Sequence, residues 1–254
     1  MKIALIQAPL AWENPKGNRK YFKDKINSIQ EEIDLVVLPE MFSTGFTMHP
    51  EHFAETMDGE TILSLKSLAK AKNSAITGSL IIRENGKFYN RLVFVFPSGE
   101  ILNYDKRHLF SLAGEEKVYT SGTEKLVVEY KGWKICPLVC YDLRFPVFSR
   151  NVEDYDLLLY AANWPTQRIP AWDILLKARA VENICYTIGV NRIGEDGNSH
   201  PYSGHSQVVD FLGNYLLEPQ TSEGIFIVEL DKSEMLETRQ KLGFLNDKDD
   251  FSLL

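Results

Sequence analysis

Three strand-like apolar segments of this chain run into a residue able to do chemistry. "DLVVLPEMF" carries Glu40 at its end, "ILNYDKRHLF" carries Lys106, and "LVCYDLRF" carries Cys140. Taken singly, each has a plain structural role. A glutamate after proline is a solvated turn residue, a lysine in "DKRH" is a surface charge with a packed stem, and a cysteine in an apolar run is a small core hydrophobe. Taken together they form a coherent set for acyl transfer. A thiol with an ordinary pKa of about 8.5 needs a base or a cation to become a useful nucleophile at neutral pH. A carboxylate beside it can take the proton. An ammonium beside both keeps the carboxylate charged, then stabilises the oxyanion that forms on attack. Glu, Lys and Cys would thus do what serine, histidine and aspartate do elsewhere. Cys140 suits that role, because it stands last in its apolar run, where a strand can hold the sulfur still at the edge of a cleft.

The rest of the chain supplies elements to hold such residues. Its 254 residues, 44% hydrophobic and 25% charged, suit one large α/β domain with an ample core. "IALIQA" and "LVVLPE" flank a helix-like polar stretch over residues 17–32, a β-α-β opening. A second helix is predicted over residues 58–73, with Asp58 as N-cap and Ile62, Leu65, Leu68 and Ala69 on one face. "SAITGSLIIRENG", "FYNRLVFVFPSGE" and "ILNYDKRHL" read as strands joined by Asn-Gly and Ser-Gly turns. The pattern then restarts. "KLVVEYKGWKICPLVC" reads as a hairpin around Lys131-Gly132, followed by a helix opening at Phe145-Pro146, the strand "LLLYAAN" and a helix over residues 170–183. Pro170 fits that helix's first position, where a missing N–H costs nothing. "YTIGVNRIG", "SQVVDFLGNYLLEP" (a hairpin around Gly213-Asn214) and "GIFIVEL" complete the strands, and "SHPYSGHSQVVD" reads as a loop entering a strand. Two similar halves, each mixing runs buried on both faces with helices, predict a sheet-on-sheet core covered by helices. Active residues of such folds collect where buried strands end.

Other chemistries find little support. A net charge of -7 argues against nucleic acid or an anionic membrane as partner, while leaving room for a local cationic pocket. The start, "MKIALIQAPLAWENPKGN", lacks the features of a signal peptide and reads as a buried first strand. No run approaches the roughly 20 apolar residues of a membrane-spanning helix. Cys136, Cys140 and Cys185 are too few and too unevenly spaced for a disulfide framework, so a reduced, cytoplasmic protein is expected. On one strand Cys136 and Cys140 stand about 13 Å apart, at roughly 3.3 Å per residue, too far for one zinc ion. His49, His52, His200 and His205 have no partners at ligand spacing, and no metal site is expected. The chain has no G-x-G-x-x-G, phosphate loop or G-x-S-x-G.

"LPEMFSTGF", "YDKRHLF" and "CYDLRFP" resemble, in order and spacing, the three signature segments of the nitrilase superfamily of carbon–nitrogen hydrolases. The resemblance runs from Lys2 to about Gln240. It implies a four-layer α-β-β-α sandwich of two pseudo-similar halves, a single domain over residues 1–254 with a tail from about residue 241. It also implies pairing through a helical face, hence a homodimer. Glu40 becomes the base, Lys106 the oxyanion and geometry residue, and Cys140 the nucleophile. A second glutamate follows the lysine in this family; in "GEEKVYTSG", counting back from Gly122 favours Glu115 over Glu116. The turn into Tyr141 would free a backbone N–H to assist Lys106. No cofactor is implied, because thiol, carboxylate and ammonium complete the reaction with water. Arg144 is read as a buried ion-pair partner of Asp142 or another carboxylate.

"LYAANWPTQRIPAWDILLKARAVENICYTIGVNRIG" further resembles the bacterial ω-amidase subgroup, which hydrolyses the terminal amide of 2-oxo acids such as 2-oxoglutaramate. Trp172, Leu175, Leu176 and Ala180 are core by spacing, so much of this similarity is open to explanation by packing. Asn163 and Trp164 directly follow a buried strand and are read as lining the cleft with Tyr141; the alternative is a turn capped by Asn-Trp-Pro. Arg168 is the candidate cation for a substrate carboxylate, against the alternative of a solvent-facing arginine before a helix. The expected partner is a small-molecule amide. Two rival functions remain: another amidase or N-carbamoyl hydrolase of the superfamily, and a non-catalytic binding protein on the same fold. Against the second stand the intact Glu40, Lys106 and Cys140.

Overall fold

Alternation along the first strand sets the layering of the molecule. In β1 (Lys2–Gln7), Ile3 and Leu5 join one apolar cluster while Ala4 and Ile6 join another, and all four are buried. A strand with period two presents successive side chains to opposite faces, so this sheet is covered on both sides. The computed structural model describes residues 1–252. In chain order, α1 (Pro15–Ser28) leads to β2 (Leu35–Val37), then α2 (Pro50–Phe53), α3 (Glu60–Lys72), β3 (Ala75–Glu84), β4 (Lys87–Val95) and β5 (Ile101–Asp105). The second half brings β6 (Val128–Tyr130), β7 (Trp133–Val139), β8 (Leu157–Ala162), α4 (Ile169–Asn183) and β9 (Tyr186–Asn191). A short hairpin, β10 (Ile193–Glu195) and β11 (Pro201–Ser203), precedes β12 (Ser206–Val209), β13 (Tyr215–Gln220), β14 (Gly224–Glu229) and α5 (Lys232–Leu242).

The strands form two six-stranded sheets, ordered β14-β1-β2-β3-β4-β5 and β13-β12-β9-β8-β7-β6. Each has three parallel central strands, β1-β2-β3 in one and β7-β8-β9 in the other, with antiparallel strands outside them. β14 returns from the C-terminal half to pair with β1, so the halves interlock. Ile3, Leu5, Leu35, Val37, Leu92 and Phe94 share a cluster with residues of β7, β8 and β9, the core between the sheets. On the outside of the first sheet, Ala4, Ile6, Val36 and Ile76 meet Phe22 and Ile26 of α1 and Ile62, Leu65 and Leu68 of α3. The second sheet is covered by α4. A Cβ at Gly189 would lie 2.5 Å from both Trp172 and Leu176, so glycine is required where β9 meets that helix. The result is the α-β-β-α sandwich.

Three local expectations are corrected. α3 starts at Glu60 rather than Asp58, and the carboxylate of Glu55 accepts the N–H of Thr61 at 2.7 Å in place of a cap from Asp58. Residues 201–203 are a strand, paired with β10, where a loop was expected. No α-helix opens at Phe145-Pro146. The chain instead makes a 3-10 helix over Cys140–Arg144, and Phe145 adopts φ -114°, ψ 85°. Proline disfavours helical backbone in the residue before it, which ends the 3-10 helix, and residues 146–149 continue as turns. Beyond residue 241, Leu242 and Leu245 still pack against the core. Among the described residues no helix is long and apolar enough to cross a membrane. The C-terminal ends of β2, β5, β7 and β8 deliver Glu40, Lys106, Cys140 and Asn163 to one place.

Candidate active site

β7 is buried almost throughout, and the chain leaves it through Cys140 with a left-handed φ of 44°. That conformation is uncommon for a residue with a Cβ and persists only where neighbours over-determine it. Asp142 supplies the constraint. Its fully buried carboxylate accepts the N–H of Val139 (3.0 Å), the hydroxyl of Tyr104 (2.8 Å) and the backbone N–H of His108 (3.1 Å), and contacts the His108 ring Nδ1 at 2.8 Å. The turn bearing Cys140 is thereby tied to the segment bearing Lys106. Tyr141 lies in the first turn of the 3-10 helix, where N–H groups have no partner inside the helix.

Arg144 departs from its expected role. The acceptor sites of Asp142 are already taken, and Arg144 instead extends over the ring of Trp164, 4.9 Å from its centroid, and lines a cleft. Among the described residues it has no ion-pair partner.

Glu40, Lys106 and Glu115 form a cluster with no exposed side-chain surface. Lys106 Nζ donates to Glu40 Oε1 at 2.9 Å and to Glu115 Oε1 and Oε2 at 3.1 and 2.8 Å. Glu115 also accepts the Phe110 N–H at 2.6 Å, while Glu116 points to solvent. Glu40 Oε2 accepts the Asn163 N–H at 2.8 Å, and the Asn163 amide donates to the Glu40 carbonyl at 2.6 Å. Among the described residues Asn163 Oδ1 has no hydrogen-bond partner. Burial works to lower the pKa of Lys106, but the charges of Glu115 and Glu40 outweigh it and keep the group an ammonium. Burial raises Glu115, with Lys106 pulling the other way. The Cys140 thiol, which donates to the Asn163 carbonyl at 3.8 Å, is pushed well above its ordinary value by burial and by the charge of Glu40, while Lys106 opposes. The sulfur is therefore held as S–H beside the Glu40 carboxylate rather than as a standing thiolate.

The cleft above this cluster holds about 440 Å³. Glu40, Lys106, Cys140, Tyr141, Asn163, Trp164 and Arg168 all line it, whereas Glu115 stands behind Lys106. Arg168 lies over the ring of Phe110 at 5.1 Å, and its carbonyl accepts Trp164 Nε1–H at 2.8 Å. Sequence reasoning missed Asn90, which joins the two carboxylates from β4, and the hairpin residues Asp196, Asn198 and His200 at the cleft wall. The only available signal for Asn90 was a polar residue inside the apolar run "FYNRLVFVF". Of the histidine pairs, His49 and His200 reach the cleft, while His205 contacts Asp173.

The carbon-nitrogen hydrolase family matches residues 2–240. Omega-amidase YafV of Yersinia enterocolitica is 43% identical over 258 residues, covering 100% of this chain and 99% of that protein. A 2-oxoglutaramate amidase of Bacillus subtilis is 32% identical over 250 residues, 96% of each chain. The crystal structure of a CN-hydrolase superfamily protein from Xanthomonas campestris, with an arsenic adduct in its active site, is similar at a TM-score of 0.97 and 42% identity. That likeness covers 100% of this chain and 98% of that one.

The three thiols differ in what surrounds them. Cys140 keeps 9% exposure and stands beside the Glu40 carboxylate, whereas Cys136 and Cys185 are fully buried and burial pushes both up, Cys185 to about 12. At neutral pH iodoacetamide is expected to modify Cys140 at least about 100-fold faster than either, since reactivity follows access and thiolate supply. Peptide mass spectrometry over time reads the three rates, and equal rates would remove Cys140 as an activated thiol.

Proposed function

The chain belongs to the carbon–nitrogen hydrolase family, and from that premise we propose that it hydrolyses the terminal amide of small ω-amido 2-oxo acids of the 2-oxoglutaramate kind. The products are the acid and ammonia, formed through a thioester on Cys140. The observation that carries this reading is the buried Glu40–Lys106–Glu115 cluster set against the Cys140 thiol. The amidase names of the relatives supply the substrate class.

As Cys140 Sγ attacks the amide carbon, the S–H proton passes to Glu40. The oxyanion develops beside the Lys106 ammonium, whose charge stabilises it, and accepts the Tyr141 N–H, both in place before charge develops. Collapse breaks the C–N bond, and Glu40 returns the proton to the departing nitrogen as ammonia. Water then gives a proton to Glu40, attacks the thioester, and releases the acid and the thiol. Glu115 holds the ammonium of Lys106 in place throughout. Asn163 Oδ1 is the acceptor available to an amide N–H, and the Trp164 ring forms a wall. Arg168 receives the substrate's remote carboxylate, and Arg144 is a second cation of the same cleft.

Pairing into a homodimer is part of the proposal. Ile174 and Val181 of α4 are exposed, as is Leu212, and Gly213 lies against Val181, so these side chains make one apolar face. Exposed apolar faces of this sort mark protein contacts. Light scattering is expected to read twice the 29.0 kDa chain mass, and a single-chain mass would dismiss the pairing.

Cys140→Ala is expected to abolish ammonia release from 2-oxoglutaramate while leaving the circular dichroism spectrum unchanged. Intact mass with a slow amide should record an acyl adduct on the wild-type protein. An active Cys140→Ala enzyme would end the thioester mechanism, and a panel of ω-amides in which the 2-oxo group makes no difference would end the substrate assignment.

Arg168→Ala is expected to raise KM for 2-oxoglutaramate by about 10-fold or more, corresponding to roughly 1.5–3 kcal/mol for a charged hydrogen bond. A neutral amide lacking the carboxylate should be little affected. Equal losses on both substrates would assign Arg168 to structure.

A further inference from the structure

Asn90 reaches every charged member of the cluster from behind, without lining the cleft. It is fully buried on β4. Its Nδ2 donates to Glu40 Oε1 at 2.8 Å and to Glu115 Oε1 at 3.2 Å, and its backbone carbonyl accepts the Lys106 N–H at 3.0 Å. The direction of its side-chain amide is set by a relay. The Met41 N–H donates to Ser79 Oγ at 2.9 Å, which leaves the hydroxyl's own hydrogen for Asn90 Oδ1 at 2.8 Å. Ionised carboxylates can only accept, so both Asn90 amide hydrogens face Glu40 and Glu115 and Oδ1 is left to accept from Ser79.

An inventory of acceptor sites gives this orientation a consequence. A carboxylate offers about four lone-pair directions. On Glu115 all are met: Oε1 by Asn90 and Lys106, Oε2 by Lys106 and the Phe110 N–H. On Glu40, Oε1 is likewise filled by Asn90 and Lys106. Glu40 Oε2 has one good donor, the Asn163 N–H at 2.8 Å, and a long approach from Asn163 Nδ2 at 3.4 Å. The most weakly held acceptor site in the cluster is therefore on Glu40 Oε2.

We propose that Asn90, held by Ser79, is a positioning residue that decides where the catalytic proton rests. It closes Glu40 Oε1 and Glu115 Oε1 to protonation and leaves Glu40 Oε2 to receive the proton of Cys140. The S–H bond breaks as the bond from Sγ to the substrate carbon forms, the proton rests on Oε2, and from there it passes to the leaving nitrogen. This rests on the acyl-transfer reading given above. The titratable groups facing the Asn90 amide are Glu40, Lys106 and Glu115. Cys140 stands beyond Glu40, and Tyr119, whose phenol donates to the Thr47 carbonyl at 2.7 Å, is close enough to feel both carboxylates.

The test reads the acid limb of Cys140 alkylation by iodoacetamide against pH, which needs no knowledge of the amide. Asn90→Asp replaces the two N–H donors with a third carboxylate. It is expected to move the limb up by about one pH unit or more, the scale of a like charge at contact. Ser79→Ala frees the Asn90 amide to turn and is expected to move the limb the same way by less, with an unchanged circular dichroism spectrum. Should Asn90→Asp fail to fold, the Ser79→Ala limb decides alone. A limb that stays with the wild type in the folded variants overturns the role of Asn90. Wild-type protein whose Cys140 reacts no faster than Cys136 overturns the acyl-transfer reading itself, and this inference with it.

Discussion

Lys106 is enclosed between two carboxylates with no side-chain surface left to water, and keeping those three charges buried is what the surrounding architecture accomplishes. Removing a single ion from water costs several kcal/mol even after relaxation, and pairing offsets that only when the remaining lone pairs also find donors. Here the donors come from widely separated segments: the Asn90 amide from β4, the Phe110 N–H from the loop after β5, and the Asn163 N–H from the end of β8. The first two belong to one half of the sandwich and the third to the other. The charge cluster is satisfied only when both sheets stand in their observed register, so the site and the fold are one requirement.

Asp142 plays the same part for the turn that carries Cys140. The left-handed backbone at Cys140 would relax if the turn were free, and the buried carboxylate two residues later prevents this by gripping Val139, Tyr104 and His108 together. The His108 ring lies flat on Phe145, 3.7 Å between centroids, which closes the turn from the outer side. Sulfur and ammonium are thus carried by segments of different sheets that share one anchor. A thiol kept as S–H by burial and placed against a carboxylate can give up its proton only as it attacks.

Much of this was legible before any coordinates. The apolar runs and their punctuation outlined nearly every strand, because period and turn chemistry are local properties of the chain. Glu40, Lys106 and Cys140 stood out because each breaks the character of the run that carries it. The local errors share a cause. Asp58 looked like a cap, but the competing carboxylate of Glu55 was closer to the helix end. Phe145-Pro146 looked like a helix start, yet the chain passes there from the end of the 3-10 helix into turns.

What the sequence determined by itself was the candidate set of Glu40, Lys106 and Cys140 and the layered order of strands and helices, since residue type and periodicity are written along the chain. Whether Arg144 would pair with Asp142 or extend into the cleft was decided only by tertiary structure. The acceptors of Asp142 were filled by Tyr104 and His108, residues more than 30 positions away. The same holds for Asn90. Its polar side chain in an apolar strand carries no mark of its use, because the carboxylates it joins arrive from residues 40 and 115. Hydrogen-bond directions belong to groups that meet in space, and only the packed sheets bring these together.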